Sequence, residues 1–297
     1  MSIENTEKDP SQKPKDIELG GDIFEFVKSQ RGGDSAVYKG PNSYLRIGSA
    51  GKIHSDLALH RRMESAGFPV AKLMTEGELD GAVYFIESSV GDKTLSQTFA
   101  EETEITGAIS EESFKQFLNV ADQFAHAQLR SQTLERDFEE FGRGIHLDIL
   151  CLELPQYAEK IQAKFKEIQE RAAALPFVIS HGDFNPHNLY AKGAIDLEDS
   201  YYAPFGHDLI GGIVSVDYFP ESQEFEFFAK YSFSENQKEK YLALLDGICD
   251  EQDLPRLSNF KSDFEFTRAV WLLVRMHRWP KIQKFRYDKF IEKFLGD

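Results

Sequence analysis

Between residues 178 and 208 the chain reads VISHGDFNPHNLYAKGAIDLEDSYYAPFGHD, two short polar islands, each entered from an apolar, strand-like run. A fold built on this stretch must bring several ionisable side chains together at the ends of strands, an arrangement that is unfavourable unless the charges are paired or used. In the first island His181-Gly182-Asp183 is followed five residues after the aspartate by Asn188. In the second, Ile195-Asp196-Leu197-Glu198-Asp199 follows a glycine-containing turn. The spacing suits one base and two metal ligands. Moving a phosphoryl group needs little covalent help, but it needs a carboxylate to orient and deprotonate the acceptor hydroxyl, and Mg²⁺ held against the leaving phosphates. Asp183 fits the first role. Mg²⁺ takes oxygen ligands, usually only one or two from protein, so the amide oxygen of Asn188 and the carboxylate of Asp196 fit the second.

The same residues admit a rival. His181, Asp183, His187, Asp196, Glu198 and Asp199 also make a His/carboxylate set for a metal-dependent phosphoesterase. Upstream sequence separates the two, because a kinase must also grip nucleotide phosphates with a glycine-containing hairpin and a cation. Residues 24–27, then Gln30-Arg31-Gly32-Gly33-Asp34-Ser35, then 36–38 read as strand, turn, strand, with Ser35 near the tip. After the turn at Gly40-Pro41-Asn42, residues 43–47 alternate as a strand and carry Arg46, and a helix follows over 53–65. Residues 81–91 read as a buried strand running into a polar segment.

Protein kinases carry H-R-D-x-x-x-x-N followed by D-F-G. Here the first island is H-G-D-F-N-P-H-N with the same Asp-to-Asn spacing, and the second carries D-L-E. The pair resembles the aminoglycoside phosphotransferase and choline kinase superfamily, the small-molecule branch of the protein-kinase-like fold. The resemblance implies that Arg46 grips phosphates, where relatives carry Lys or Arg. It makes Asp56 the acid that orients Arg46, counted from the landmark Gly67-Phe68-Pro69-Val70, and places a hinge for adenine at Glu87, Ser88 and Ser89. It further implies that His181 braces its loop, that Glu198 assists a second metal, and that Asp208 caps a helix and anchors the loop. His187 either faces the acceptor or packs under the loop.

A chain of 297 residues is long enough for two lobes meeting at a cleft. Residues 1–20 have almost no large apolar side chains and are expected to be a disordered tail, followed by a nucleotide-binding lobe over 21–90 and a catalytic and acceptor-binding lobe over 91–297. The tail carries five acids and three bases, so nearly all of the net charge of −16 belongs to the folded body. That charge repels phosphate backbones and anionic lipid, which argues against nucleic-acid or membrane partners and favours a cationic acceptor or Mg²⁺-bound nucleotide, although solubility alone explains it equally well. Two cysteines without metal-ligand spacing point to a reducing cytoplasm, and no apolar run is long enough to span a bilayer.

From about Ser110 the pattern is helical, with helices expected from 110, over 152–173, 235–249, 262–278 and 287–295. In the helix over 262–278, Phe264, Arg268, Trp271, Arg275 and Arg278 share one stripe. Three readings stay open for it. Arg268, Trp271 and Arg275, with His187, line an acceptor pocket for an anionic or aromatic compound; acids such as Glu221, Glu224, Asp263 and Glu265 hold an amine instead; or the arginines pair with nearby acids to fasten the helix.

These readings converge on an α+β, two-lobed protein-kinase-like fold, with a small, mostly β N-terminal lobe and a larger, mostly helical C-terminal lobe. The expected activity is transfer of the γ-phosphate of ATP or GTP, with Mg²⁺, to a hydroxyl on a small molecule. Protein Ser/Thr phosphorylation is disfavoured by the absence of D-F-G, A-P-E and a long activation segment. A non-catalytic nucleotide-binding protein is disfavoured because base and ligands are intact.

Overall fold

The computed structural model describes residues 15–29, 33–225, 227–275 and 279–296. The chain divides into two compact units, Met1–Arg61 with Ala71–Ser89, and Arg62–Val70 with Val90–Asp297. The first contains β1 (Ile17–Leu19), β2 (Asp22–Ser29), β3 (Ser35–Lys39), β4 (Ser43–Gly48), helix α1 (Ala50–Ser65), β5 (Leu73–Leu79) and β6 (Ala82–Ser88). The strands form one antiparallel sheet in the order β1-β2-β3-β4-β6-β5. Alternation along β4 sends Leu45 into a core with Phe24, Tyr38 and Ile86. Arg46 takes the other face, directly opposite Phe85, where Ile53 and Leu57 of α1 pack against Val83 and Phe85. Part of the segment expected to be tail belongs to this sheet: Ile17–Leu19 pairs with β2, burying one face of Ile17 and Leu19 against the same core.

The second unit contains α2 (Leu95–Thr106), α3 (Glu111–Arg130), α4 (Phe138–Gly144), α5 (Leu147–Glu153), α6 (Ala158–Ala172), β7 (Phe177–Ser180), β8 (Leu189–Tyr190), β9 (Gly193–Ala194), β10 (Tyr201–Pro204), α7 (His207–Val214), α8 (Glu235–Glu251), α9 (Lys261–Val274) and α10 (Pro280–Phe290). Ser110 caps α3 by accepting the Ser113 N–H at 3.1 Å. The single helix expected over 152–173 is broken at Pro155, which lacks an N–H to continue α5. The last helix begins earlier than expected, with Pro280 in its first turn, and continues beyond Phe290 as a π-helical turn to Leu295. Gln30 to Gly32 of the glycine-rich turn and Arg278 of the arginine stripe lie outside the described residues. Among the described residues no helix is long and apolar enough to cross a membrane, and both cysteines are free. The architecture is the two-lobed, α+β protein-kinase-like arrangement expected from the sequence.

Helix α9 is the spine of the second unit, with Asp263 through Val274 all buried. Its polar members are each engaged: Asp263 pairs with Arg171 at 2.9 Å, Glu265 with Lys293, and the Thr267 hydroxyl meets His207 Nδ1 at 3.0 Å. The second ring nitrogen of His207 meets the Tyr201 hydroxyl at 3.0 Å, and Phe141 stands edge-on to the ring. Burial, with the nearby Arg268 charge, pushes the His207 imidazole down to about 3. Because its folded value lies below the ordinary one, the unfolded chain binds the extra proton, so this contribution to stability is present above about pH 6.5 and is lost as pH falls towards 3. Urea midpoints at about pH 7 and about pH 4 should therefore differ by less in His207→Gln than in the wild type, with ~4 kcal/mol as the upper bound on the difference. Equal pH slopes would contradict a neutral, buried His207.

Candidate active site

The first island is fixed from below. β7 ends at Ser180, and the Asp208 carboxylate in the first turn of α7 accepts four hydrogen bonds there: Ser180 Oγ at 2.9 Å, His181 N–H at 2.7 Å, Gly182 N–H at 3.2 Å and Gln128 Nε2 at 2.8 Å. Burial pushes the Asp208 carboxyl up, and the bonds from the His181 N–H and the Ser180 hydroxyl offset only part of that rise. Asp208 thus anchors the loop as expected, but it does not cap α7, since the N-cap position is Gly206. Gly182 has φ +78°, and a Cβ there would sit 2.1 Å from the Asp199 carbonyl oxygen, so the two islands touch through backbone at a place only glycine fits. His181 stitches them further. Its Nε2–H donates to Ile195 O at 2.9 Å and its Nδ1 accepts the Asp183 N–H at 3.3 Å. With both ring nitrogens bonded to backbone, His181 is not oriented as a metal ligand.

Asp183 stands on this frame with its side chain 23% exposed. Oδ1 accepts from Arg268 Nη2 at 2.5 Å and Asn185 Nδ2 at 2.6 Å, and Oδ2 accepts from Asn188 Nδ2 at 3.0 Å. Burial alone would raise its carboxyl, but the Arg268 guanidinium outweighs that and holds it below the ordinary carboxylate range. A carboxylate has about four acceptor sites, so one site remains, on Oδ2. Asn188 uses its amide nitrogen on Asp183, which leaves the side-chain oxygen as the atom of that amide able to coordinate a cation.

The β8–β9 hairpin brings the second island alongside. Leu189 pairs with Ala194, and the Ile195 N–H donates to Asn188 O at 2.9 Å, so Asp196 follows directly on the residue bonded to Asn188. Asp196 has φ +66°, a left-handed conformation that costs a non-glycine residue roughly 1–3 kcal/mol and is concentrated at functional sites. An amide oxygen and a carboxylate are the hard donors that Mg²⁺ takes, and the residues fit that ion. Glu198 and Asp199 lie on a single 3-10 turn, Leu197–Asp199. Among the described residues no group of three or more His, Cys, Asp or Glu side chains is arranged to hold a metal, so the His/carboxylate set of the phosphoesterase reading is not assembled.

The stripe on α9 is an internal clamp. Arg268 is 2% exposed and spends its guanidinium on Ser215 Oγ at 2.8 Å, Gly182 O at 3.0 Å and Asp183. Arg275 grips both oxygens of Asp199. Each guanidinium stacks on Trp271, at 4.2 Å and 4.6 Å from the ring centroid. Of the three sequence readings, fastening to nearby acids is the one seen, and the acids, Asp183 and Asp199, belong to the two polar islands. Arg268 and Trp271 are therefore corrected from acceptor-pocket residues to buried supports, with Arg275 tied to Asp199. Asp263 and Glu265 are likewise withdrawn from holding an amine, being buried and paired. His187 remains exposed, with Nε2 3.4 Å from Ser96 Oγ.

In the first unit Arg46 donates through Nε to Glu87 Oε1 at 2.9 Å. Asp56, the partner expected from sequence, accepts instead from Lys52 one turn earlier at 2.8 Å. Glu87, expected at the hinge, has its side chain in the sheet interior, and the expected hinge donors are already used: Ser88 N–H bonds to Lys72 O and Ser89 N–H to Asn42 O, both at 2.9 Å. Ser35 lies at the base of the hairpin rather than near its tip, buried opposite Gly48 on β3. Sequence reasoning also missed Asn185 and His60. Asn185 carried a signal, sitting two residues after Asp183 where an Asn side chain reaches local groups. His60 carried none beyond its place four residues after Asp56 on the same helical stripe.

Removing the buried guanidinium should strand Asp183, Ser215 and the Gly182 carbonyl. Arg268→Ala is expected to lower stability by about 3–5 kcal/mol in denaturant unfolding, with Arg268→Lys intermediate because it keeps the charge but not the fork. A loss under about 1 kcal/mol for the alanine variant would contradict the clamp.

No curated protein matches the sequence. Among solved structures, the chain is similar to a thermostable mutant of aminoglycoside phosphotransferase APH(4)-Ia, at 15% identity and TM-score 0.55, covering 93% of this chain and 97% of that one. It is also similar to a choline/ethanolamine kinase family protein from Mesorhizobium loti, at 14% identity and TM-score 0.58, over 92% and 88% of the two chains. A third likeness is to an ethanolamine kinase from Plasmodium vivax, at 12% identity and TM-score 0.52, over 91% and 80%. At these identities the likenesses concern the fold. The sequence pattern of the phosphotransferase enzyme family (APH) matches residues 27–242, and the chain belongs to that family.

Proposed function

We propose that this protein transfers the γ-phosphate of ATP or GTP to a hydroxyl group of a small molecule, with Asp183 as the base. The observation that carries this reading is the hydrogen bonding of Asp183: three of its acceptor sites are filled by Arg268, Asn185 and Asn188, and the fourth, on Oδ2, is left for a hydroxyl. In this reading Oδ2 accepts the acceptor's O–H and aligns its oxygen for attack. Because Arg268 keeps Asp183 a weak base, orientation is the larger part of its work, and the proton moves to Oδ2 only as the oxygen–phosphorus bond forms.

Asn188 and Asp196 would hold Mg²⁺, with Glu198 as a supporting ligand, and Arg46 would grip the phosphates. When bound, the metal neutralises charge on the nucleotide's phosphates and polarises them for displacement. A small-molecule acceptor is favoured over a protein because only β10 and a short turn lie between Asp196 and α7, too short for a long activation segment. Relatives by fold include aminoglycoside and ethanolamine kinases, so amino sugars and amino alcohols are the acceptors to try first, a choice the chain's acidity supports.

Asp183→Asn should lower turnover by roughly 10² to 10⁴ and also lower thermal stability, because it leaves the buried Arg268 guanidinium without its counter-charge, while the folded variant keeps its nucleotide affinity. Asp196→Ala should abolish the Mg²⁺-dependent part of nucleotide binding, measured by calorimetry with and without the metal. Near-normal turnover in the first variant removes Asp183 as the base. Unchanged Mg²⁺-dependent affinity in the second moves the metal towards Glu198 and Asp199.

A further inference from the structure

One side chain joins the proposed base to His187. Asn185 donates through Nδ2 to Asp183 Oδ1 at 2.6 Å and accepts the His187 N–H on its own Oδ1 at 2.9 Å, so this buried amide fixes the main chain of His187 against the Asp183 carboxylate. The start of α2 holds the loop from another side, where the Ser96 N–H donates to Pro186 O at 2.9 Å. Ser96 Oγ lies 3.4 Å from His187 Nε2, and the buried Tyr231 is hydrogen-bonded to Ser96 in turn. His187 itself is exposed, and among the described residues its Nδ1 has no hydrogen-bond partner. Two opposite charges act on the ring, the Asp183 carboxylate and the Lys230 ammonium.

We propose that His187 sets acceptor specificity by hydrogen-bonding a neutral group, a second hydroxyl, beside the hydroxyl that Asp183 orients. This rests on the phosphotransfer reading and narrows it. An acceptor whose reacting O–H is on Asp183 Oδ2 brings its neighbouring groups towards the residue that Asn185 ties to that carboxylate. Charge then decides which neighbour fits. An ammonium or a carboxylate is attracted by one of the two charges and repelled by the other, so it gains little beside the ring and still loses hydration. A hydroxyl is indifferent to both, and it matches an imidazole, which offers a donor at one nitrogen and an acceptor at the other. Any amino group of the acceptor accordingly lies away from His187. Because the ring is exposed, the discrimination is that of one neutral hydrogen bond and not of a fully buried polar pocket.

The test measures transfer of labelled γ-phosphate, at saturating Mg²⁺ and ATP, to glucosamine and glycerol, which carry hydroxyls on adjacent carbons, and to ethanolamine and glycolate, in which the neighbour of the single hydroxyl is an ammonium or a carboxylate. The wild type is expected to use the better of the first pair with a kcat/KM at least about tenfold above that for either of the second. In His187→Phe the KM for that compound should rise about tenfold with a smaller change in kcat, while His187→Gln, which keeps a donor and an acceptor, should stay within about threefold of the wild type. Ethanolamine or glycolate used as well as the polyols, an unchanged KM in His187→Phe, or label on neither glucosamine nor glycerol would each overturn the assignment. His187 is exposed, so its variants should keep the wild-type urea midpoint; if His187→Phe loses it, His187→Ala takes its place with the same rise in KM expected. Calorimetry with Mg²⁺ and AMP-PNP separates the two claims: a wild type that binds no nucleotide overturns the phosphotransfer reading itself, whereas one that binds nucleotide and gives any of the preceding outcomes loses only the role of His187.

Discussion

A buried arginine bonded to the proposed base organises the catalytic unit. Arg268 sits in the middle of a helix with almost no solvent exposure, and an unpaired charge there would be strongly destabilising. It is tolerated because Asp183, the Gly182 carbonyl and Ser215 satisfy it. The dependence runs both ways: Asp183, itself drawn into a protein interior, keeps its charge because Arg268 is there. Arg275 repeats the device on Asp199, with Trp271 against both guanidinium groups. The core of the helical unit and the chemistry of its loop are thereby one structure, so that disturbing α9 disturbs Asp183.

The loop itself obeys a second constraint, close backbone approach. Gly182 lies against the Asp199 carbonyl, His181 bridges to Ile195, and Asp208 collects the two loop N–H groups that no strand satisfies. These bonds hold the loop at its first residues, and in the proposed reading one site on Asp183 Oδ2 and the side-chain oxygen of Asn188 are left for ligands. Rigidity of this kind is what a site acting mainly by orientation requires.

The islands were legible in the sequence because their information is local. The Asp183-to-Asn188 spacing, the glycine at 182 and the hairpin leading to Asp196 are all set by neighbours along the chain. Four of the six strands were legible too, from the alternation over 43–47 and the turns on either side, whereas β1 fell in the expected tail and β5 was not read. Partners across the chain were not. The stripe of Arg268, Trp271 and Arg275 was visible by its helical spacing, but periodicity does not say which way a stripe faces, and this one faces the islands rather than an acceptor. The acid beside Arg46 was expected on the following helix, whereas Glu87 meets it only through the register of β4 and β6. Ser35 was read as a loop residue because a glycine-rich turn does not announce where its strand begins.

The account turns on where the phosphate goes. Incubating the protein with Mg²⁺ and ATP labelled in the γ-phosphate, against a panel of amino sugars, amino alcohols, sugars and nucleosides, reads this out as the distribution of label among small molecule, water and protein. The account predicts that label appears on the hydroxyl of at least one small molecule and that ATP consumption depends on it. Label released only to water, or found only on protein, across a panel in which nucleotide binding is demonstrated, would contradict it.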